Sequence, residues 1–141
     1  MFEKLNKTDW KVLFFLLEDP YDRYHLREIS RKVKISSSSA KKALDRLLNL
    51  NLIKFEKIGN IHIFIGNMDE ILTKQLKITK NIEFIKPLTK EFTSIISLVL
   101  FGSFAKGAND KTSDIDLFII SNKKPDKKLT EYKNQRIQII H

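Results

Sequence analysis

The sequence predicts an α+β protein in two parts, and three observations lead to that prediction. Apolar residues recur at helical spacing from Trp10 to about Asn49. An alternating pattern typical of a hairpin follows, with Gly59 and Asn60 at its centre. Two apolar runs of strand type then enclose a Gly-Ser pair and two aspartates, so helices dominate the first part and strands the second.

The composition limits the classes to which the protein can belong. Of its 141 residues, 42% are hydrophobic, which is enough for a globular core, while no apolar segment is long enough to cross a bilayer. The polar start predicts no signal peptide, and the lack of cysteine excludes disulfides and thiolate metal sites. We therefore expect a cytoplasmic protein without a membrane partner. Its formal charge of +9 favours an anionic partner, nucleic acid or nucleotide.

A first helix is predicted after Thr8 or Asp9, because either side chain can cap a helix start. Trp10 and Leu13 lie on its apolar side. The helix is expected to stop before Pro20, since proline cannot continue it.

Two further helices follow, separated by a brief turn. The second is predicted from Leu26 to Val33, with apolar residues at helical spacing. Ser36 or Ser37 is expected to cap the third, which runs to about Asn49. Two short helices joined by a tight turn form a helix-turn-helix arrangement.

The hairpin pairs residues 53–57 with residues 61–65. Three helices followed by such a hairpin resemble the winged helix-turn-helix domain of prokaryotic transcription regulators, over residues 1–67. The segment 36–53 is similar to that family's recognition helix and its run into the wing. The resemblance implies double-stranded DNA as a partner and a role in transcription regulation, although winged helices also serve as protein-interaction modules.

The DNA-binding residues implied by this resemblance lie on the polar side of the third helix and in the wing. Helix N-terminal residues of this kind reach base edges and phosphates in a major groove. The implied set is Ser37, Ser38, Lys41 and Lys42, beside Asp45, on the helix, and Lys54, Lys57 and Asn60, with His62 as a further candidate, in the wing.

Residues 68–93 are predicted to form a helical connector between the two domains. Apolar residues recur at helical spacing from Met68 to Leu76. Asn81 is expected to interrupt the helix, and a second helical piece follows with Pro87 in its first turn, where proline is tolerated. Winged-helix proteins commonly dimerise through such added helices, so a homodimer is an open alternative.

An apolar strand from Ile95 to Phe101 is predicted to end at a Gly-Ser pair. Gly102 lets the backbone come close to a ligand without a side chain in the way. Ser103 is expected at the start of a short helix, where free N–H groups attract phosphate.

A second apolar strand, which begins after ten further residues, carries Asp114 and Asp116. Strand side chains alternate between faces, so both carboxylates point one way while Ile115 and Leu117 point into the core. Two carboxylates on one face repel each other unless a cation lies between them. Mg²⁺ prefers oxygen ligands and couples to substrate phosphates, so the pattern predicts a magnesium site.

Gly102-Ser103, ten residues, then Asp114-x-Asp116 resemble the G-S-x10-D-x-D signature of minimal nucleotidyltransferases in the DNA polymerase beta-like superfamily. The resemblance implies a small α/β domain with a mixed sheet, residues 94–141, that transfers a nucleoside monophosphate from ATP or another nucleoside triphosphate. In the implied site Asp114 and Asp116 are catalytic and bind two Mg²⁺ or Mn²⁺ ions, while Gly102, Ser103 and Lys106 contact the phosphates. Some proteins of this pattern are antitoxins that transfer AMP to a partner toxin, so a partner protein's hydroxyl is a candidate acceptor.

The resembling family uses a third carboxylate on a neighbouring strand, and the last predicted strand, 135–141, contains no acid. Gln138 and Arg136 share the face that points toward the site, whereas Asp126 is expected in a lysine-rich loop and Glu131 in a short helix. We therefore predict binding of Mg-ATP with slow or no transfer. Two hypotheses stay open: an enzyme, and a regulator whose second domain only binds nucleotide or mediates assembly. The chain also ends within an apolar run, which predicts a domain that continues beyond residue 141.

Overall fold

The computed structural model describes residues 2–92, 95–122 and 129–140. It divides into two compact units, Met1–Lys77 and Ile78–His141. The sequence places a connector at 68–93, whereas the division falls within one helix of 15 residues, Ile71–Ile85. The first part of that helix therefore belongs to the first unit, and the remainder belongs to the second unit.

The first unit contains the predicted helices and hairpin. Its helices are α1 (Lys7–Glu18), α2 (Leu26–Val33) and α3 (Ser37–Asn49), and a 3-10 turn at Phe2–Lys4 precedes them. Its strands are β1 (Tyr24–His25), β2 (Ile53–Ile58) and β3 (Ile61–Gly66), which form an antiparallel sheet in the order β1-β3-β2. The sequence pattern did not predict β1.

Apolar side chains from the helices and the hairpin form the core of this unit. They include Leu13, Leu16, Leu17, Ile29, Leu44, Leu47, Leu52 and Ile53. Beside this core, buried Asp9 accepts hydrogen bonds from Arg46, with Nε to Oδ2 at 2.9 Å and Nη2 to Oδ1 at 2.7 Å. The guanidinium matches both carboxylate oxygens, so this pair ties α1 to α3.

The start of α1 corrects the sequence-based expectation. Asn6 is the cap: its side chain accepts hydrogen bonds from the N–H groups of Thr8 (2.8 Å) and Asp9 (3.0 Å). In return, Oδ2 of Asp9 accepts a hydrogen bond from the N–H of Asn6 at 2.9 Å. This reciprocal arrangement is a capping box, so Thr8 and Asp9 lie in the first turn and the helix begins at Lys7.

The second unit begins within α4 (Ile71–Ile85), which continues into a 3-10 segment, Lys86–Lys90, that contains Pro87. The elements that follow are β4 (Ile95–Phe101), α5 (Gly102–Lys106), β5 (Ile115–Ser121), β6 (Glu131–Tyr132) and β7 (Gln135–Ile140). The strand order is β4-β5-β7-β6. The pair β5 and β7 is parallel and the other neighbours are antiparallel, so the predicted mixed sheet is confirmed.

The two faces of this sheet differ, as the alternation along β5 predicts. Ile115 and Leu117 are fully buried and share a core with Leu88 and Phe104. Asp116 lies between them in sequence and is half-buried on the opposite face. The buried face of the sheet therefore holds the domain together, and Asp116 lies on the more exposed face.

Asn81 does not interrupt α4, contrary to expectation. The helix is continuous across this position, and Asn81 is buried. Its amide finds hydrogen-bond partners within the second unit, which offsets the low helix propensity of asparagine.

Glu131 lies on β6 and not in a short helix, which is a third correction. It is level with Arg136 of β7, across a turn formed by Lys133 and Asn134. Both turn residues have positive φ, 49° and 66°, the backbone that tight hairpin turns require. Asp126 lies outside the described residues.

The longest helix in the described part of the chain is α4, with 15 residues. No helix among these residues is both long and apolar enough to cross a membrane.

Candidate functional site

The Gly-Ser pair and the aspartate pair meet in the second unit. Gly102, the first residue of α5, has a φ of +68°, a conformation that side chains rarely adopt. A Cβ atom built on Gly102 would lie 2.1 Å from Oδ2 of Asp116, far inside van der Waals contact. The position therefore requires glycine, and the backbone there lies directly against the carboxylate.

The carboxylates lie at the start of β5, between two neighbouring strands. Asp116 is level with Phe101 at the end of β4 and with Gln138 on β7. Asp114 immediately precedes β5, and both aspartates are half-buried. The structure thus brings Gly102 against Asp116, which lies 14 positions further along the chain.

Two glutamines on β7 hold the segment that leads into β5. Nε2 of Gln138 donates a hydrogen bond to Oδ2 of Asp114 at 2.6 Å. Nε2 of Gln135 donates a longer one, 3.4 Å, to the backbone carbonyl of Ser113. Gln138 therefore lies beside the aspartates on the strand next to β5. An amide there is a hydrogen-bond donor without charge.

Asp110 closes the loop before β5. Its Oδ1 accepts hydrogen bonds from the hydroxyl and the N–H of Thr112, both at 2.8 Å, and from the hydroxyl of Ser113 at 3.0 Å. These bonds, foremost the one from the Thr112 hydroxyl, lower the pKa of the Asp110 carboxyl because they favour its charged form. The loop that delivers Asp114 is thereby fixed by its own side chains.

Ser103 and Lys106 lie on α5. Ser103 is the second residue of this five-residue helix, and no side chain caps the helix at Phe101. Lys106 is exposed at the other end, before Gly107, whose positive φ of 67° ends the helix. Ser103 is therefore adjacent to the contact between Gly102 and the carboxylate, whereas most of α5 separates Lys106 from it.

Two buried asparagines beside the site are residues that the sequence analysis missed. Nδ2 of Asn81 donates hydrogen bonds to the backbone carbonyl of Phe104 at 2.8 Å and to Oδ1 of Asn109 at 2.7 Å. These partners are 23 and 28 positions away, so no local pattern reveals them. The sequence feature that could have indicated this cluster is Asn81, a polar residue within an apolar helical stripe.

The donor set fits one magnesium ion that also binds nucleotide phosphates. Within the described ranges, no group of three or more His, Cys, Asp or Glu side chains is suited to a metal. Glu131 lies on β6, which β7 separates from β5. Mg²⁺ is commonly bound through one or two carboxylates together with substrate phosphates, so Asp114 and Asp116 suffice for one ion.

In the first unit, the N-terminal end of α3 exposes the side chains predicted to contact DNA. They are Ser37, Ser38, Lys41 and Lys42. The hydroxyl of Ser36 caps the helix by accepting a hydrogen bond from the N–H of Ser39 at 3.1 Å. Nζ of Lys41 lies 2.9 Å from Oδ1 of Asp45, but both side chains are exposed, so this ion pair is weak.

The wing is the β2–β3 hairpin, and its predicted contacts Lys54, Lys57 and Asn60 are all exposed. Lys54 forms an ion pair with Asp69, and its hydrogen bond lowers the pKa of the Asp69 carboxyl. His62 is also exposed and packs edge-on against the ring of Phe55, with 5.3 Å between centroids. Lys54 must exchange Asp69 for a phosphate if it contacts DNA.

Two family models match the chain, and each falls within one of the two units. Residues 5–54 match the winged helix-turn-helix DNA-binding family, and residues 78–141 match the nucleotidyltransferase domain family. The chain joins a winged helix-turn-helix domain to a nucleotidyltransferase domain. Both resemblances read from the sequence are thereby confirmed. The nucleotidyltransferase match begins at Ile78, the residue at which the second unit begins, so it includes the end of α4.

Several solved structures are similar to part of this chain. A ZitR mutant from Lactococcus lactis has a TM-score of 0.47 and 25% identity, over 64% of this chain and 64% of that one. The adhesin competence repressor from Streptococcus pyogenes has a TM-score of 0.43 and 17% identity, over 64% and 70% of the two chains. The DNA-binding protein Sso10a-2 from Sulfolobus solfataricus has a TM-score of 0.39 and 17% identity, over 62% of this chain and 95% of that one. This chain thus spans less than two thirds of the ZitR chain, and a comparison with curated proteins finds no match.

Proposed function

We propose that this protein is a DNA-binding regulator whose nucleotidyltransferase domain binds Mg²⁺ with ATP, or with another nucleoside triphosphate, and transfers nucleotide slowly or not at all. The hydrogen bond of 2.6 Å from Nε2 of Gln138 to Oδ2 of Asp114 carries this proposal. It puts a neutral amide beside Asp114, whereas two-metal transfer calls for a further negative ligand near the aspartates.

DNA binding is supported by the exposed polar end of α3 and by the formal charge of +9. Ser37 and Ser38 lie in the first turn of α3, with Lys41 one turn further on, an arrangement suited to base edges and phosphates in a major groove. The match of residues 5–54 to a DNA-binding family points the same way.

Nucleotide binding is supported by the contact between α5 and β5. Asp114 and Asp116 would hold the magnesium ion, which when bound supplies positive charge to the phosphates. Because no side chain extends from Gly102, the start of α5 lies directly against the carboxylate of Asp116. The hydroxyl of Ser103 adds a hydrogen-bond donor, and Lys106 adds a cation for the outer phosphates.

Gln138 is expected to weaken nucleotide transfer for two reasons. The amide is neutral, so the site has one negative charge fewer near the attacking oxygen. Its hydrogen bond to Asp114 also occupies a carboxylate lone pair that would otherwise face a cation. Losing a ligand of this kind costs several kcal/mol of transition-state stabilisation, on the order of a thousandfold in rate.

Active nucleotide transfer is the second candidate function. The close approach of Gly102 to Asp116 favours it, because this contact joins the two halves of the nucleotidyltransferase signature. In that case a hydroxyl, which a partner protein could supply, attacks the α-phosphate and pyrophosphate leaves.

Two measurements distinguish nucleotide binding from nucleotide transfer: calorimetry with ATP, and incubation with labelled ATP. Calorimetry on the wild-type chain is expected to show ATP binding that depends on Mg²⁺, and Asp116→Asn is expected to lose this binding while keeping the fold. Incubation with Mg²⁺ and cell extract is expected to give little labelled product. Gln138→Asp is expected to increase the amount of labelled product. Gln138→Leu is the control, because it removes the amide without adding a negative charge.

Three outcomes would contradict these proposals. Rapid labelling by the wild-type chain, unchanged in Gln138→Asp, would favour an active transferase with another third ligand. Unchanged ATP affinity in Asp116→Asn would show that the aspartates do not bind the metal–nucleotide complex. Absence of duplex binding in mobility shifts at low salt would make the winged domain a protein-interaction module.

A further inference from the structure

We infer that Asn81 is a positioning residue for the candidate nucleotide site, an inference that rests on the nucleotide binding proposed above. Asn81 belongs to the part of α4 that lies in the second unit, and its side chain is 4% exposed. Its amide donates to the carbonyl of Phe104 at 2.8 Å and to Oδ1 of Asn109 at 2.7 Å. A backbone carbonyl can only accept, so the amide nitrogen must face these oxygens, and both of its hydrogens are used.

The bond to Phe104 anchors α5. A helix of five residues has almost no internal hydrogen bonds, so the groups at its ends need partners from outside. The carbonyl of Phe104 accepts a long bond, 3.4 Å, from the N–H of Gly107. The bond from Asn81 is 0.6 Å shorter, so it is the stronger of the two bonds to this carbonyl, and it joins the helix that begins at Gly102 to α4.

The bond to Asn109 anchors the loop that leads to the carboxylates. Asn109 is 3% exposed and immediately precedes the turn formed by Asp110 to Ser113, which Asp114 follows. One amide group thus holds α5 on one side and this loop on the other. The position of the Gly-Ser pair relative to Asp114 and Asp116 is therefore set in part by Asn81.

Asn67 in the first unit provides a matched control. It is also 3% exposed, and its Nδ2 donates to the carbonyl of Asn51 at 2.8 Å and to Oδ1 of Asn51 at 3.1 Å. Replacing either buried asparagine with leucine, which has a similar volume, removes two hydrogen bonds. The two variants therefore differ mainly in the unit that loses its restraint.

The test compares Asn81→Leu with Asn67→Leu by amide hydrogen exchange and by calorimetry with Mg-ATP, at a temperature where both variants are folded. We expect both substitutions to lower the unfolding temperature. In Asn81→Leu alone, exchange across residues 102–114 should become at least about tenfold faster while β5 and β7 stay protected. The affinity for Mg-ATP should fall by about tenfold or more in Asn81→Leu and stay unchanged in Asn67→Leu.

Protection of residues 102–114 at the wild-type level in Asn81→Leu would overturn the inference. Faster local exchange with unchanged Mg-ATP affinity would also overturn it, because Asn81 would then have a purely structural role. If the wild-type chain itself does not bind Mg-ATP, the proposed nucleotide binding fails, and the exchange comparison still decides whether Asn81 fixes the Gly-Ser pair.

Discussion

The site depends at the residue scale on one missing side chain. In Gly102→Ala the new methyl group would meet Oδ2 of Asp116 at 2.1 Å, so the carboxylate or α5 must move. The left-handed backbone alone costs about 1–2 kcal/mol for alanine. We expect Gly102→Ala to destabilise the second unit and to lower Mg-ATP affinity by at least about tenfold, as measured by calorimetry.

Gly59→Ala is the matched control for that substitution. Gly59 has a φ of +60°, close to that of Gly102, but a Cβ atom there would meet no atom within 4 Å. It should show the same backbone strain in the wing without any effect on nucleotide. Equal loss of Mg-ATP affinity in both variants would mean that strain, and not the contact with Asp116, explains the effect.

The Asp110 turn makes the stability of the second unit depend on pH. Hydrogen bonds lower the pKa of Asp110 in the folded state, so its contribution to stability is fully present above the ordinary pKa, near about 4, and is lost as pH falls through the folded value. In Asp110→Asn this part of the acid sensitivity should disappear. Urea unfolding, followed by NMR signals of β5 between pH 5 and pH 2, measures it.

Asp69→Asn is the comparison for the pH experiment. The pKa of Asp69 is also lowered, by the hydrogen bond from Lys54, but this pair lies in the first unit. Its replacement should leave the pH dependence of the β5 signals as in the wild type. A flatter profile in both variants would show that the effect is not specific to the Asp110 turn.

The alternation of side chains along a strand is a strict local rule, and it predicted which polar side chains of the candidate site lie on the same face. Alternation along β5 placed Asp114 and Asp116 on one face, and alternation along β7 placed Gln138 toward them. No such rule exists for Asn81, because its hydrogen-bond partners are brought near by the tertiary fold. Its polar side chain in a helix was therefore misread as an interruption.

At the scale of elements, the turn between α2 and α3 contains backbone strain, because a lysine and not a glycine adopts a left-handed conformation there. Lys34 has φ 58° and ψ 53°, the left-handed conformation, and its N–H bonds the carbonyl of Arg31. Glycine adopts this backbone without the Cβ penalty of about 1–2 kcal/mol. We expect Lys34→Gly to raise the melting temperature of the first unit by several degrees, about 4–8 °C per kcal/mol. Fluorescence of Trp10 follows this transition.

Lys34→Ala separates backbone strain from charge in that experiment. It removes the same positive charge but keeps a Cβ atom in the left-handed conformation. Its melting temperature should stay near that of the wild type or fall slightly, because a cation near a helix C-terminus is favourable. If Lys34→Ala stabilises as much as Lys34→Gly, charge repulsion explains the gain.

Element prediction succeeded where caps and periodicity are local and failed where pairing is distant. The bounds of α2 and the Ser36 cap of α3 followed from local signals. Strand β1 has two residues and forms only through pairing with β3, where Tyr24 is level with Phe64. Strand β6 depends on a turn without glycine, so no turn signal identified it.

At the scale of the whole molecule, an unbroken helix hides the boundary between the units. The sequence predicted a helical connector and no flexible linker. The division between the units falls within α4, after Lys77. Within the first unit, Nζ of Lys77 donates to the carbonyl of Glu18 at 3.1 Å. Lys77 and Asn81, two buried polar residues of α4, therefore form hydrogen bonds within different units. Apolar periodicity alone does not predict such a boundary within a helix.

The charge of the molecule leads to a prediction about salt. Each lysine that neutralises a DNA phosphate releases a counterion, so log K should fall with log [salt] by about 0.9 per contact. Replacing Lys41 and Lys42 with alanine should weaken duplex binding and flatten this slope by about one to two. Replacing exposed Lys7 and Lys11 of α1 removes the same charge away from the end of α3. Titrations by fluorescence anisotropy measure both slopes; equal changes would show that net charge, and not the end of α3, drives binding.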